Sequence, residues 1–195
     1  MPTQRSDAVV ILHEIYGINA HIHRTREMWR ARGFDVYAPA LFPHDAPYSY
    51  TQQDEAYRNF SNHVGFDPQP VLKLLATLRA QHRKLIVIGY STGATLAWRV
   101  AGSGLCDGVI CHYGSRIRQY SDELPHCPAL MIMARHEPSF DPTALQQKLE
   151  TLPLVQCHMF DAQHGFCDAD SPGYLAWQAR HAVADAIAFV DAVCG

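Results

Sequence analysis

Short apolar segments alternate along the chain with longer segments in which apolar residues recur every three to four positions. The short segments are rich in valine and isoleucine and hold few charges, which is typical of β-strands buried on both faces. The longer segments have the spacing of amphipathic α-helices. We therefore predict strands at 8–13, 35–38, 85–89, 108–112, 129–134 and 155–160, and helices at 20–31, 54–62, 68–81, 92–101, 142–149 and 174–193.

This alternation predicts an α/β fold with a mostly parallel central sheet of about six to seven strands, because consecutive parallel strands need a helical crossover. Asp67 before Pro68 and Asp141 before Pro142 are helix-start signals, each an acidic cap followed by proline. No repeat, charge block or linker interrupts the pattern, so we predict a single domain over residues 1–195.

The segment with the least pattern is 39–53, which contains Pro39, Pro43, Pro47, Tyr48 and Tyr50. A loop of this length in a compact domain is usually functional, so it is a candidate cover for a pocket. A surface connection without a role is the alternative.

Composition narrows the class of protein. Of the 195 residues, 48% are hydrophobic and 18% are charged, which excludes a disordered chain. The net charge of -3 gives no excess of positive charge to attract nucleic acid or an anionic membrane, and we expect neither partner. The longest uncharged apolar stretch, 85–98, is shorter than the ~20 residues that a bilayer requires.

No two of the six cysteines have the C-x-x-C spacing, and several lie in predicted strands. We interpret them as buried thiols in a reducing compartment. Residues 1–7 are polar and lack the apolar run of a secretion signal. The expected location is the cytoplasm.

Residues 89–93 have the sequence Gly-Tyr-Ser-Thr-Gly, a G-x-S-x-G pattern between a predicted strand and a predicted helix. Such a turn exposes the serine, here Ser91, in a strained backbone, and its glycines avoid Cβ collisions with neighbouring main chain. The helix start directs free N–H groups at the position where an oxyanion would form. The pattern predicts a nucleophile turn.

A serine nucleophile needs a base and a group that orients the base, and in this architecture the acid and then the histidine follow later strands. Glu137 follows the fifth predicted strand, and His164 follows the sixth. Asp141, four residues beyond Glu137, and Asp161, at the end of the sixth strand, are the alternatives for the acid.

No metal or cofactor site is predicted. Residues 13–17 begin like the H-E-x-x-H zinc motif, but the fifth position is Gly17. His21 and His23 share a predicted helix without the i, i+4 spacing that places two ligands on one face. The glycine motifs that bind phosphates or dinucleotides are absent from the sequence.

Taken together, residues 13–19 (His-Glu-Ile-Tyr-Gly-Ile-Asn), the turn at 89–93, the acid loop at Glu137 and residues 164–166 (His-Gly-Phe) resemble the dienelactone hydrolase family. The resemblance runs from Val9 to the final helix. It implies the α/β-hydrolase fold, here in a minimal form that starts at the strand before Glu14 without the leading antiparallel strands.

By this resemblance, Ser91 is the nucleophile, Glu137 the acid and His164 the base. The oxyanion donors are the backbone N–H groups of Ile15 and Thr92. Glu14 matches a glutamate that contacts the resting nucleophile in the family.

Three features differ from the family pattern. The family's nucleophile is usually cysteine, whereas this chain has Ser91, and its acid is Glu137 where aspartate is usual. Gln53 and Asp168 stand where the dienelactone enzymes have arginines that hold the substrate carboxylate. We expect an acidic Asp168 to repel an anionic dienelactone.

The predicted substrate pocket contains Glu14, Gln53, Tyr57, Tyr90 and Asp168. Tyr16, Tyr113 and the 39–53 loop are further candidates for its wall. Arg116 and Arg118, after the fourth predicted strand, are either a substitute anion site or solvated surface charges.

These features predict a serine hydrolase that cleaves an ester, lactone or thioester bond of a small molecule through an acyl-enzyme. The alternatives are a non-catalytic ligand sensor with the same fold, and an acyltransferase that uses the same three side chains. The sequence leaves the oligomeric state open.

Overall fold

The computed structural model describes residues 5–43 and 46–195, and these residues form one sheet covered on both faces by helices. The strands among them are β1 (Ala8–Leu12), β2 (Asp35–Tyr37), β3 (Leu85–Tyr90), β4 (Gly108–His112), β5 (Ala129–His136) and β6 (Val155–Gln163). The helices are α1 (Ala20–Ala31), α2 (Gln53–His63), α3 (Gln69–Arg79), α4 (Thr92–Val100), α5 (Pro142–Leu149) and α6 (Ala176–Cys194). Two short 3₁₀ helices occupy Tyr50–Gln52 and Ser115–Gln119.

The strand order is β2-β1-β3-β4-β5-β6, and every neighbouring pair is parallel. This confirms the predicted parallel sheet of an α/β fold. Because all the strands run the same way, their carboxyl ends lie along a single edge, and the loops that follow β1, β3, β4, β5 and β6 meet there.

The sheet lies between two apolar clusters, because successive side chains of a strand point to opposite faces. Val9 of β1 packs in the cluster that contains Phe189 of α6. Its neighbour Val10 packs in the other cluster, with Trp98 of α4. Full burial of a valine or leucine side chain contributes about 1.5–3 kcal/mol, so these two layers hold most of the stability of the fold.

The helix starts show local capping. Asp141 caps α5 by accepting a hydrogen bond from the Thr143 N–H at 2.9 Å, which confirms that start signal. The α3 helix begins one residue later than predicted, at Gln69, whose N–H donates to Asp67 Oδ1 at 3.0 Å.

The last two strands run past their predicted ends. Beyond an irregularity near Ala134, His136 of β5 still pairs with Gln163 of β6. The polar residues of these strand ends are exposed, so the apolar pattern that marks a buried strand stops before the hydrogen bonding does. This extension brings the segments that carry Glu137 and His164 side by side.

Candidate active site

Ser91 lies on a sharp turn between β3 and α4. Its backbone has φ 52° and ψ −110°, a left-handed conformation that side-chain-bearing residues seldom adopt. A Cβ on Gly89 would collide with the backbone of Gly93, and a Cβ on Gly93 would collide with the backbone of Leu12. The two glycines therefore permit the tight strand-to-helix turn that presents Ser91 at the edge of the sheet.

His164 and Glu137 extend from the loops after β6 and β5 and meet Ser91 in one hydrogen-bonded chain. Ser91 Oγ lies 2.8 Å from His164 Nε2, and His164 Nδ1 lies 2.8 Å from Glu137 Oε1. Since the ionised carboxylate only accepts, Nδ1 donates to Glu137 and Nε2 is free to accept from the serine hydroxyl. This is the arrangement that a general base needs in order to remove the serine proton.

The surroundings of His164 and Glu137 determine the protonation of the imidazole. The Glu137 side chain is 3% exposed and that of His164 is 33% exposed. Burial lowers the pKa of His164, but the hydrogen bond and negative charge of Glu137 outweigh it, with a smaller contribution from the charge of Glu14. The net result is a His164 pKa above its ordinary value.

The two other candidate acids lie away from His164. Asp141 is the cap of α5, where its carboxylate accepts from the Thr143 N–H. Asp161 lies within β6 and not at its end, and its carboxylate is 2.6 Å from His136 Nε2 on the exposed side of the strand. Of the three acids considered, Glu137 is the one in contact with the imidazole.

Two backbone N–H groups beside Ser91 have no acceptor among the described residues, those of Ile15 and Thr92. Thr92 opens α4, where the first N–H groups of a helix have no partner within it. Ile15 follows β1, the strand next to β3, and lines the same cavity as Ser91. Both groups are available to a ligand oxygen.

Glu14 is a buried carboxyl group in the wall of the cavity. Its side chain is 4% exposed, and Oε1 has no hydrogen-bond partner among the described groups. Burial raises the pKa of Glu14 to about 7, against the opposing effect of His164. A carboxyl with such a pKa carries a proton for a large part of the time at neutral pH.

The cavity over Ser91 has a volume of about 420 Å³. Of the predicted pocket residues, Glu14, Gln53 and Tyr57 line it, as does Tyr16. The rest of its wall combines polar and apolar surface and comprises Ile15, Tyr50, Ser91, Thr92, Ser115, Arg116, Glu137, Pro138, Ser139, Gln163, His164, Gly165, Ser171, Pro172 and Gly173.

Two predicted pocket residues lie elsewhere. The Tyr90 ring is buried beneath the serine turn, stacked on His112 at 4.3 Å and in edge contact with His21 at 4.5 Å. Asp168 is fully buried behind the cavity wall, where it accepts hydrogen bonds from the Tyr50 hydroxyl and from Arg24. The prediction that these two side chains line the pocket was wrong. Tyr113, also buried, packs against the His164 ring at 5.0 Å and does not line this cavity.

The loop over residues 39–53 contributes Tyr50 and Gln53 to the cavity wall. His44 and Asp45 of this loop lie outside the described residues. The loop is held next to β1 by two hydrogen bonds, from the Leu41 N–H to His13 Nε2 at 2.9 Å and from the Tyr48 N–H to the Tyr16 carbonyl at 2.9 Å. This part of the loop therefore has a role in the cavity wall.

The two arginines after β4 have different positions. Arg116 lines the cavity and donates to the Tyr57 hydroxyl at 2.8 Å. Arg118 lies over the Phe140 ring, 5.0 Å from its centroid. Ser115, Ser139 and the wall segment 171–173 were not predicted. Ser115 and Ser139 could have been found because they follow strand ends, whereas 171–173 lies well beyond β6 and had no such signal.

No cluster of metal-ligating side chains occurs in residues 5–43 or 46–195. Over the same part of the chain, no helix is both long and apolar enough to cross a membrane.

Comparison with known proteins identifies the relatives of this chain. Residues 1–194 match the sequence model of the dienelactone hydrolase family. The YczH protein of Bacillus subtilis (strain 168) is 34% identical over 165 residues, which cover 84% of this chain and 82% of YczH. Carboxymethylenebutenolidase of Pseudomonas putida is 29% identical over 188 residues, covering 86% and 78% of the two chains.

The fold has close counterparts among solved structures. One is P91, a dienelactone hydrolase-like promiscuous phosphotriesterase from metagenomic libraries, with a TM-score of 0.77 at 15% sequence identity. The superposition covers 98% of this chain and 88% of that one, and it establishes the α/β-hydrolase fold. From the sequence match and the fold, this chain belongs to the dienelactone hydrolase family and is a hydrolase that acts on ester bonds.

Proposed function

We propose that this enzyme is a serine hydrolase that cleaves an ester, lactone or thioester bond of a small molecule through an acyl-enzyme. The observation that carries this proposal is the chain of hydrogen bonds from Ser91 to His164 to Glu137, with 2.8 Å at each step. A hydroxyl in direct contact with an oriented imidazole is the minimum that serine catalysis requires.

In the proposed reaction, His164 Nε2 takes the hydroxyl proton as Ser91 Oγ attacks the substrate carbonyl. Glu137 holds the imidazole tautomer and stabilises the imidazolium. The N–H groups of Ile15 and Thr92 bind the oxyanion. His164 then gives the proton to the leaving group, and a water activated by the same imidazole releases the acyl group.

The cavity wall presents polar groups beside apolar surface, which favours a small substrate that has polar groups of its own. Hydroxyl and amide groups of serine, tyrosine and glutamine make up much of its polar part, and Arg116 carries a positive charge there. A long alkyl chain would bury these polar groups without hydrogen-bond partners, which costs free energy. With Gln53 in the wall and Asp168 behind it, the chain lacks the paired arginine clamp for an anionic dienelactone.

The proposed location is the cytoplasm. All six cysteines are free thiols, and four of them are buried. Thiols persist in a reducing compartment, whereas disulfides form and persist in oxidising ones.

The test is to treat the purified enzyme with a fluorophosphonate probe and to measure hydrolysis of a chromogenic acetate ester. We expect labelling at Ser91, and we expect Ser91→Ala to lose labelling and to lower kcat by about 10⁴-fold or more. Ser61→Ala, an exposed serine of α2, is the matched control and keeps both activities.

Turnover by Ser91→Ala comparable to that of the wild type would overturn the mechanism. Absence of labelling in the wild type would favour the sensor interpretation. A product formed by acyl transfer to added alcohol or thiol, in preference to water, would identify an acyltransferase.

A further inference from the structure

His13 follows β1 directly and is 1% exposed. Both of its ring nitrogens are engaged. Nδ1 lies 2.6 Å from the carbonyl oxygen of Glu14, and Nε2 lies 2.9 Å from the backbone nitrogen of Leu41. The ring also packs edge-on against Phe42, at a centroid distance of 5.1 Å.

These two contacts fix the tautomer of His13. A backbone N–H can only donate, so Nε2 must be the acceptor in the contact with Leu41. The proton of the neutral ring is then on Nδ1, which donates it to the Glu14 carbonyl. Burial lowers the pKa of His13 to about 4, so the ring stays neutral near pH 7.

The carbonyl that accepts this hydrogen bond belongs to the same peptide group as the N–H of Ile15. A trans peptide is planar, with its C=O and N–H pointing in opposite directions. No cis peptide occurs among the described residues. A hydrogen bond that fixes the Glu14 carbonyl therefore fixes the direction of the Ile15 N–H. The Gly17 N–H makes a second contact with the same carbonyl, at 3.2 Å.

We propose that His13 is a positioning residue that orients the Glu14–Ile15 peptide so that the Ile15 N–H points at the substrate oxyanion. This inference rests on the proposed function, because it assigns His13 to the oxyanion site of that reaction. The imidazole acts through the backbone and does not touch the substrate. Rotation of this peptide would turn a carbonyl oxygen toward the developing negative charge and remove a donor from it.

Two isosteric substitutions separate the two hydrogen bonds of His13. In His13→Asn, the side-chain amide nitrogen occupies the position of Nδ1 and can donate to the Glu14 carbonyl, while the acceptor for Leu41 is lost. In His13→Gln, the amide reaches the position of Nε2 and can accept from Leu41, while the donor to Glu14 is lost.

We expect kcat of His13→Gln to fall about 10- to 100-fold with little change in KM, which is less than the 10²- to 10³-fold effect of deleting an oxyanion donor. We expect kcat of His13→Asn to fall clearly less than that of His13→Gln, because the Asn side chain keeps the donor to the Glu14 carbonyl. The inhibition constant of phenylboronic acid, which forms a tetrahedral adduct with an active-site serine, should rise in His13→Gln in parallel with the loss of kcat/KM. Thermal unfolding of each variant verifies that it is folded.

The inference would be overturned if kcat fell equally in the two variants, if it fell in neither, or if it fell in His13→Asn alone. A second measurement needs no substitution. In the ¹⁵N NMR spectrum of the wild type, His13 should have the proton on Nδ1 and none on Nε2, and the opposite tautomer would overturn the inference. If the wild type neither turns over esters nor labels at Ser91, both the proposed function and this inference fail. If it does both and the two variants do not differ, the inference alone fails.

Discussion

At the scale of single residues, the charges around His164 determine the pH at which the site can work. The imidazole accepts the serine proton only when it is neutral, and Glu137 stabilises its protonated form. The contact that orients the base therefore also raises the pH that is needed to deprotonate it.

This gives a prediction for the pH profile with a neutral acetate ester. Because the pKa of His164 is raised, kcat/KM should decline as the pH falls through a midpoint above about 6.5, the ordinary value for histidine. In Glu137→Gln the midpoint should move to lower pH, and kcat on the alkaline plateau should drop by a factor on the order of 10³–10⁴. Asp141→Asn is the control and should keep the midpoint of the wild type. An acid limb that stays in place in Glu137→Gln would contradict the assignment of Glu137.

Glu14 provides a second prediction, on stability. Its pKa rises from 4.5 to about 7 on folding, so the folded state keeps a proton that the unfolded state loses. Its contribution is fully present below about pH 4.5 and is lost as the pH rises to 7. Relative to Glu14→Gln, the free energy of unfolding of the wild type should fall by up to ~3 kcal/mol over this range.

Urea unfolding at pH 5 and pH 8 measures this difference. Glu55→Gln, at an exposed position of α2, should follow the wild type at both pH values. If the free energy of unfolding of Glu14→Gln also had the same pH dependence as that of the wild type, the buried carboxyl would not be its source.

At the scale of elements, the cavity depends on how the 39–53 loop is attached to the rest of the fold. Its inner contacts are the bonds to His13 and Tyr16, which flank the Glu14–Ile15 peptide. Its outer contact is the hydrogen bond from the Tyr50 hydroxyl to the buried Asp168. Asp168 also contacts Arg24 of α1, so one carboxylate joins the loop, α1 and the segment after β6.

Asp168→Asn should weaken this junction. A hydrogen bond to a charged group contributes about 1.5–3 kcal/mol, so we expect Tm to drop by about 3–10 °C. With Tyr50 less firmly held in the wall, KM should rise several-fold while kcat changes little, because Ser91 and His164 keep their contact. Asp170→Asn is the matched control, since Asp170 also pairs with Arg24, at 2.6 Å, but does not contact Tyr50. Identical Tm and KM in the two variants would argue against the role of Asp168.

At the scale of the whole molecule, the sequence predicts the sheet and the position of Ser91 well, because apolar runs mark each buried strand and the reactive residues follow their ends. The sequence also contains the information that places the Tyr90 side chain on one particular face of the sheet. Ile86, Ile88 and Tyr90 alternate along β3 and share one apolar cluster, so the period of two assigns Tyr90 to the core. The position of Asp168 was not encoded locally, because its hydrogen-bond partners Tyr50 and Arg24 lie 118 and 144 residues away in the sequence.

The left-handed backbone of Ser91 has a consequence for protein engineering. A residue held in such a conformation costs on the order of 1–3 kcal/mol, and the buried Glu14 Oε1, which has no hydrogen-bond partner among the described groups, adds to this cost. The free energy of unfolding therefore comes mainly from the two apolar layers, and the active-site end of the sheet lowers it. Mutant libraries that seek new substrates should vary the cavity wall and leave the strands unchanged, because substitutions in the apolar layers would unfold the enzyme before they could change its selectivity.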